Sequence, residues 1–270
     1  MKKRIMCIGA HPDDGDINFG GTAIKLAKAG HVVQFLSITD GQSGHHEMGA
    51  EETAAARRCE VQEAKNRLGI DSYIILDNKD AYLTVDIPTR EGLMKAIRAF
   101  GPDIIITHRP NDYHPDHRNT SILVQDCSYL VKVPKFLPDV PIPDVMPVVY
   151  YLCDNFMKPL PIDPEIVVDI DDVVETKLYA LDAYVSQVYE FLPWIGGYIH
   201  DVPVDPSERI QLLRNIYAAR WVNNANRFRH KLIAKYGKAH GSQIKHAEAF
   251  EACEYGGRHD IEAEKALFTF

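Results

Sequence analysis

The sequence lacks the features that mark membrane, exported or nucleic-acid-binding proteins. No stretch approaches the roughly 18 to 20 apolar residues that a membrane helix needs. The apolar segment behind the basic first four residues ends at His11, too early for the hydrophobic part of a signal peptide. No block of lysine or arginine stands out, and the formal net charge is -8. We therefore expect no membrane span, no nucleic-acid partner and a small-molecule ligand.

Cysteine is scarce and scattered. The five cysteines are odd in number and none of them forms a C-x-x-C pair, which argues against a disulfide framework and against a zinc ribbon. A reducing compartment suits such a chain, and we expect a cytoplasmic location. The first strand-helix turn also lacks the G-x-G-x-x-G pattern of dinucleotide-binding proteins, which makes a nucleotide-binding role improbable.

What the sequence does contain is an ordinary globular composition arranged as alternating strands and helices. It has 270 residues, of which 46% are hydrophobic and 25% charged. Apolar runs predict strands at 4–9, 31–38, 73–76, 103–107, 147–152 and 166–170. Helical spacing predicts helices at 22–30, 51–68, 90–100, 119–130, 173–188 and 207–236. This order predicts an α/β protein, a Rossmann-like three-layer α/β/α fold with an open, mostly parallel sheet.

Two polar motifs follow two of these strands. Ala10-His11-Pro12-Asp13-Asp14 comes directly after the first strand, and His114-Pro115-Asp116-His117 follows the fourth. If the first strand is central, these strands are neighbours at the switch point of the sheet, where ligands bind at the carboxyl ends. The topology therefore predicts that residues about a hundred positions apart meet in one crevice.

The chemistry of the two motifs predicts a metal site. His11, Asp14 and one histidine of the second motif offer two imidazoles and a carboxylate, a set that suits catalytic zinc with a position open for water. The same ligands also suit iron(II). Asp13 is then free to take a proton from water, and the remaining histidine can stabilise or protonate the product. The spacing alone permits either His114 or His117 as the ligand.

At this point the residues resemble a known family, the LmbE-like or PIG-L-like zinc-dependent N-acetylglucosamine deacetylases. Members carry AHPDD after the first strand and HPDH after the fourth, and the similarity covers most of the chain. The further matching segments are Thr39-Asp40-Gly41, the R-x-x-E-x3-A-x3-L-G helix from Arg57 to Gly69, Pro110 to Tyr113, Lys177, Ala180, Ser186-Gln187 and Ala247 to Phe250. The chain departs from the pattern at Gly15, which leaves the next carboxylate at Asp16, and at Tyr184, where relatives often have histidine.

The resemblance implies a role for each matching residue. The metal ligands that the resemblance implies are His11, Asp14 and His117. Asp13 would be the general base and His114 the group that faces the oxyanion or the leaving amine. Asp116 would orient His114, and Arg57 would contact the substrate.

The resemblance also implies the activity and the organisation of the chain. The expected reaction is deacetylation of an N-acetylated amino sugar, or of its glycoside or conjugate, with release of acetate and a free amine. The expected organisation is a single deacetylase domain over 1–270, with a core over about 1–170 and a helical extension over about 171–270. Relatives commonly form homo-oligomers, which the sequence leaves open here. The alternative is a sugar-binding or regulatory module with a structural metal, but an open coordination position and the surplus Asp13 favour an enzyme.

Overall fold

The computed structural model describes residues 2–270, which form one seven-stranded sheet with helices packed on both faces. The elements in the first part of the chain are β1 (Arg4–Gly9), α1 (Asp14–Lys28), β2 (Val32–Thr39), α2 (Ala50–Leu68), β3 (Ser72–Asn78), α3 (Ile87–Phe100), β4 (Ile104–Thr107), α4 (Pro115–Leu130), β5 (Val148–Leu152) and β6 (Ile166–Asp169). The later elements are α5 (Val174–Leu181), a first π-helix (Ser186–Phe191), α6 (Leu192–Ile195), a short 3-10 helix (Ile199–Asp201), α7 (Pro206–Leu213), a second π-helix (Arg214–Ala218), α8 (Ala219–Arg227), α9 (Arg229–Gly241), β7 (Ala247–Gly256) and α10 (Ile261–Leu267).

The strand order in the sheet is β3-β2-β1-β4-β5-β7-β6. Neighbouring strands from β3 to β5 run parallel, and β7 is antiparallel to both β5 and β6. The predicted α/β class with an open, mostly parallel sheet is therefore confirmed. β1 pairs directly with β4, so the two strands that carry the polar motifs are neighbours, as the sequence predicts.

Alternate residues of the central strands fill two separate apolar clusters. Ile5 of β1 and Ile104 of β4 belong to the cluster on one face, whereas Met6 and Ile105 belong to the cluster on the other. Successive side chains of a strand point to opposite faces, so both faces of these strands are covered. This burial explains why β1 and β4 appear in the sequence as continuous apolar runs rather than as alternating ones.

Several helix boundaries differ from the sequence prediction. α1 begins at Asp14, eight residues before the predicted start at position 22. Its first turns contain Gly20 and Gly21, which are poor helix formers and conceal the helical pattern. A side chain at Gly21 would meet Ile170, whose Cγ2 lies 2.8 Å from the Cβ position, so close packing requires glycine there. The predicted helix over 173–188 ends at Leu181, and a turn separates it from the first π-helix. The one over 207–236 is interrupted by the second π-helix and divides again between α8 and α9.

The last hundred residues contain helices and also β7, which the sequence reasoning did not identify. Glu248 of β7 accepts the backbone N–H groups of Gly21 and Thr22 at 2.9 and 2.7 Å, and it forms a buried ion pair with Lys177 of α5. Burial lowers the pKa of Lys177 to about 8, which leaves the lysine protonated at neutral pH. These contacts tie the end of the chain to α1. Among residues 2–270, the helices are too short or too polar to cross a lipid bilayer.

Candidate metal centre and active site

The turn after β1 holds Asp13 in a strained conformation. Asp13 has φ 123° and ψ -21°, a region that non-glycine residues rarely adopt and that costs about 1–3 kcal/mol. Its N–H donates to the hydroxyl of Tyr73 on β3 at 3.1 Å, which helps to hold the turn. The next residue, Asp14, opens α1, where the positive end of the helix dipole favours a carboxylate.

His11, Asp14 and His117 come together at the carboxyl ends of β1 and β4. His11 Nδ1 lies 3.2 Å from His117 Nε2 and 3.6 Å from Asp14 Oδ2. His117 Nε2 lies 3.5 Å from Asp14 Oδ1. Two nitrogens and a carboxylate at about 2.0–2.2 Å from a tetrahedral zinc would lie about 3.3 Å from one another. The two nitrogens have this spacing, and each of them lies 3.5–3.6 Å from a different oxygen of Asp14, so the three side chains converge where such an ion could bind.

Each of the two imidazoles has a carboxylate beside its other nitrogen. His11 Nε2 lies 3.0 Å from Asp80 Oδ1, and His117 Nδ1 lies 3.1 Å from Asp112 Oδ1. Metal-binding histidines commonly have such partners, which fix the ring orientation and make the ligand nitrogen more basic. The sequence reasoning missed Asp80, because it lies in the loop after β3 and matches no motif.

The cluster contains further residues that could hold a cation. Ligand atoms lie within 4.8 Å of one another in the groups His11–His114–His117, Asp14–His108–His117 and His11–Asp80–Asp116, which share His11, Asp14 and His117 with the expected set. His108 Nε2 lies 3.0 Å from Asp14 Oδ2 and also accepts the N–H of Ala10 at 3.2 Å, as expected for a histidine at a strand end. Its ring stacks on that of His117, with 4.1 Å between the centroids.

The carboxylate of Asp13 is suited to act as a base. Asp13 is only 4% exposed, it lines the cavity, and among residues 2–270 no hydrogen-bond donor engages its carboxylate oxygens. Burial, together with the charge of Asp14, raises the pKa of Asp13 well above its usual range. A raised pKa strengthens a carboxylate as a proton acceptor.

Behind this turn, Asp16 and Tyr184, the residues at the two departures from the family pattern, contact each other. The hydroxyl of Tyr184 donates to Asp16 Oδ2 at 2.9 Å, and Tyr73 lies beside them. Burial raises the pKa of Asp16 to about 7, although hydrogen bonds from the hydroxyls of Tyr184 and Tyr73 favour a lower pKa. Tyr73 also accepts the N–H of Asp13, so this buried group supports the strained turn from behind.

His114 presents a hydrogen-bond donor to the cavity. Its Nδ1 accepts the N–H of Asp116 at 3.2 Å, and burial lowers its pKa, which keeps the ring neutral at neutral pH. A neutral ring that accepts through Nδ1 carries its proton on Nε2. The Asp116 side chain, which was expected to orient His114, has other partners. Its carboxylate accepts the N–H of Ala81 at 2.7 Å and lies 3.5 Å from His11 Nε2. Asp116 thus orients His114 through its backbone.

Arg57 lines the same cavity but is almost fully engaged by the protein. Its guanidinium donates to Ser186 Oγ at 2.8 Å, to the carbonyl of Gly44 at 2.9 Å and to the side chain of Gln187. It also pairs with Glu60 at 3.2 Å. The arginine is 1% exposed, so the structure places it as a support of the cavity wall, with little surface free for a substrate.

The cavity in front of these residues has a volume of about 730 Å³, within the usual range of small-molecule sites. The candidate metal ligands His11, Asp14 and His117 lie on one side, together with Asp13 and His114. The remaining wall includes the apolar side chains of Leu152, Phe156, Phe191, Leu192 and Ile195 and also polar ones, among them Tyr217, Arg220 and Asn224. Both π-helices contribute to it, which agrees with the frequent occurrence of π-helical turns at functional sites. Trp194 lies outside the lining of this cavity, where it is half exposed and stacks on His46.

Sequence comparison finds relatives with a common activity. Residues 6–128 match the family described as PIG-L, GlcNAc-PI de-N-acetylase. The chain is 30% identical over 198 residues to a diacetylchitobiose deacetylase of Thermococcus kodakarensis, which covers 70% of this chain and 71% of that protein. It is 27% identical over 203 residues to a probable N-acetyl-alpha-D-glucosaminyl L-malate deacetylase of Bacillus cereus, which covers 71% and 87%.

Solved structures share the fold. The N,N'-diacetylchitobiose deacetylase of Pyrococcus horikoshii superposes with a TM-score of 0.71 at 23% identity, over 93% of this chain and 84% of that one. A 4-carboxy-2-hydroxymuconate hydratase of Pseudomonas putida superposes with a TM-score of 0.69 at 20% identity, over 93% and 96%. The fold alone therefore does not determine the reaction.

Proposed function

Because the chain belongs to the PIG-L family of de-N-acetylases, we propose that it is a zinc-dependent amidohydrolase that deacetylates an N-acetylated amino sugar or its conjugate. The products are acetate and a free amine. The observation that supports this proposal is the convergence of His11, Asp14 and His117, in which the two ring nitrogens lie 3.2 Å apart and each lies 3.5–3.6 Å from one of the two Asp14 oxygens, beside the unengaged carboxylate of Asp13. A hydrolase needs both a metal-binding cluster with room for water and a nearby base.

The proposed metal ligands are His11, Asp14 and His117. The set leaves a coordination position free, whereas a structural zinc normally has four protein ligands. When bound, the ion would polarise the amide carbonyl and lower the pKa of water towards about 7. Of the two metals that suit these ligands, zinc and iron(II), zinc is the one proposed.

The protein residues supply the proton transfers and the charge stabilisation. Asp13 accepts a proton from the attacking water, for which its raised pKa suits it. His114 Nε2–H donates a hydrogen bond to the oxygen that becomes negative as the carbonyl carbon turns tetrahedral. The proton on Asp13 can then pass to the departing amine, which completes the cleavage of the C–N bond.

The test is acetate release from a panel of N-acetylated amino sugars and their glycosides. The purified protein is freed of metal with a chelator, dialysed, and assayed before and after addition of zinc or iron(II). We expect stoichiometric acetate and amine only from the reloaded protein, with zinc giving the higher rate. A protein with a structural metal instead unfolds on chelation and gives no turnover after reloading. Turnover without any bound metal would also contradict the proposal.

A further inference from the structure

One side of the cavity is rich in hydrogen-bond donors and lies on the later part of the chain. Tyr217 of the second π-helix, together with Arg220 and Asn224 one turn apart on α8, lines the cavity there. We call these three residues the donor wall. Asn224 is 5% exposed, and its side-chain oxygen accepts the thiol of Cys153 at 3.4 Å. Its amide nitrogen has no hydrogen-bond partner within residues 2–270 and remains available on the cavity side.

Arg220 differs from the other cavity arginines because, within residues 2–270, its charge is not paired with a carboxylate. Arg57 is paired with Glu60, and Arg109 is paired with Asp154 and Glu251, each at 3.2 Å. Over the part of the chain that the structure describes, no carboxylate lies within 4 Å of the Arg220 guanidinium. The donor wall therefore carries the one cavity arginine, within the part of the chain that the structure describes, whose guanidinium forms no ion pair, and this arginine is exposed at the cavity.

Arg220, although exposed, is hydrogen-bonded towards the proposed metal site. Its Nη1 donates to Asn18 Oδ1 at 2.9 Å, and Asn18 Nδ2 in turn donates to the carbonyl of Asp14 at 3.0 Å. One amide side chain thus links the guanidinium to a residue of the proposed metal site. A group bound by Arg220 would lie beside a sugar whose acetamido group reaches Asp13.

The size of the cavity allows such a group. The cavity volume of about 730 Å³ lies in the upper part of the roughly 300–1,000 Å³ range of sites for drug-sized ligands, so a sugar with an attached group can be accommodated. A guanidinium offers a planar pair of N–H donors that matches a carboxylate or a phosphate. The phenol of Tyr217 and the amide of Asn224 add neutral donors of the kind that also bind anionic oxygens.

We propose that the donor wall binds an anionic group, a carboxylate or a phosphate, on the substituent attached to the N-acetylated sugar. Arg220 is then the specificity-determining residue, and the enzyme prefers anionic conjugates of the sugar to neutral ones. The inference rests on the proposed function and deepens it by naming the substrate class.

The test compares three substrates that share the N-acetylglucosamine unit: its methyl glycoside, its 1-phosphate and its glycoside with glycolic acid, each as both anomers. The zinc-loaded wild type is compared with Arg220→Gln, Arg220→Lys and Arg58→Gln. Arg58 is an exposed arginine of α2 outside the cavity, so its variant changes the net charge equally. Melting temperatures verify that every variant is folded.

For the wild type we expect a kcat/KM at least tenfold higher with one or both anionic substrates than with the methyl glycoside. Arg220→Gln should lower that value about tenfold or more, with less than a threefold change for the methyl glycoside. Arg220→Lys should retain part of the preference, and Arg58→Gln all of it. Whichever of the phosphate and the carboxylate is favoured identifies the anion.

Equal rates of the wild type with neutral and anionic substrates would overturn the inference. So would a loss in Arg220→Gln that is the same for all three substrates, since a purely structural role predicts that pattern. Acetate release from none of the substrates by the zinc-loaded wild type would instead refute the proposed function, so the two failures are distinguishable.

Discussion

At the scale of single residues, Asp13 combines two features that a merely structural residue would avoid. Its backbone lies in a strained region, and the residue is only 4% exposed while its carboxylate accepts no hydrogen bond within residues 2–270. Both are costly for stability, and such costs concentrate at functional sites. The proposed mechanism explains both, because the base must face the cavity and must bind a proton readily.

Asp13→Asn tests this role. The amide keeps the size of the side chain but cannot accept the proton, so we expect kcat to fall by about 10²–10⁴. Zinc content, measured by mass spectrometry of the purified protein, should stay at the wild-type ratio. Full activity with bound zinc would refute Asp13 as the base, and loss of zinc would indicate that Asp13 is a ligand instead.

Tyr73→Phe tests the support behind the turn. The variant leaves the buried N–H of Asp13 without its acceptor, so we expect the free energy of unfolding to fall by about 1–3 kcal/mol. A several-fold lower kcat should accompany this, because the turn that holds the base loses a contact. Tyr129→Phe is the matched control, since that ring is 75% exposed and its loss should change stability by less than about 0.5 kcal/mol. Equal stability of the two variants, measured by urea titration, would contradict the role of Tyr73.

The residues of the two motifs could be predicted from sequence, but their supporting partners could not. His11, Asp14 and His117 follow adjacent strands, and the topology alone brings strand ends together. Asp80 lies in a loop after the edge strand β3, where no periodic pattern fixes the path of the chain. Whether Asp116 contacts His114 by its side chain or its backbone depends on one rotamer, which spacing does not determine.

At the scale of secondary-structure elements, a buried ion pair joins three of them. Lys177 of α5 pairs with Glu248 of β7, and the lysine also donates to the carbonyl of Ile17 in α1 at 2.8 Å. Its Nζ lies 3.9 Å from the ring centroid of Trp221, which adds a cation–π contact. The pair connects the end of the chain to α1, the helix that begins at Asp14 of the proposed metal site.

Lys177→Met removes one partner and leaves a buried carboxylate unpaired. We expect the free energy of unfolding to fall by about 3–5 kcal/mol, with partial recovery in the double variant Lys177→Met, Glu248→Gln. Lys265→Met removes an exposed pair with Glu262 and should cost less than about 1 kcal/mol. A loss from Lys177→Met no larger than that of the control, in urea unfolding, would contradict the importance of the buried pair.

The elements that sequence reasoning missed share a physical cause. β7 is antiparallel and partly exposed, and its alternation of alanine and glutamate lacks the β-branched residues that signal a strand. Each π-helix changes the spacing of the inward-facing residues. A search for a 3.6-residue period does not identify where such a turn begins or ends. In contrast, β1, β4 and α2 were predicted to within one residue at either end, because they are apolar runs or end at a glycine.

At the scale of the whole molecule, the last hundred residues complete the sheet. β6 is joined to the remaining strands through β7, which comes from residues 247–256. We therefore expect the core over about 1–170 and the helical extension over about 171–270 to fold together as the single domain that the sequence predicts.

A fragment ending at residue 170 should not fold on its own. Without β7, β5 would have an open edge and β6 would have no neighbour, and the apolar cluster on one face would lose Trp221, Phe250 and Phe268. We expect the fragment to aggregate or to lack a cooperative unfolding transition in circular dichroism. A sharp transition from a soluble fragment would show that the core is independent.

The most direct test of the central claim is an anomalous-scattering map recorded at the zinc absorption edge from crystals of the zinc-loaded protein. The expected result is one peak per chain in the cavity, about 2.0–2.2 Å from a nitrogen of His11, a nitrogen of His117 and an oxygen of Asp14, with Asp13 close by but not bound. A peak ligated by His108 or His114 in place of His117, or by Asp13 itself, would contradict the assignment, and so would the absence of any peak in this cluster.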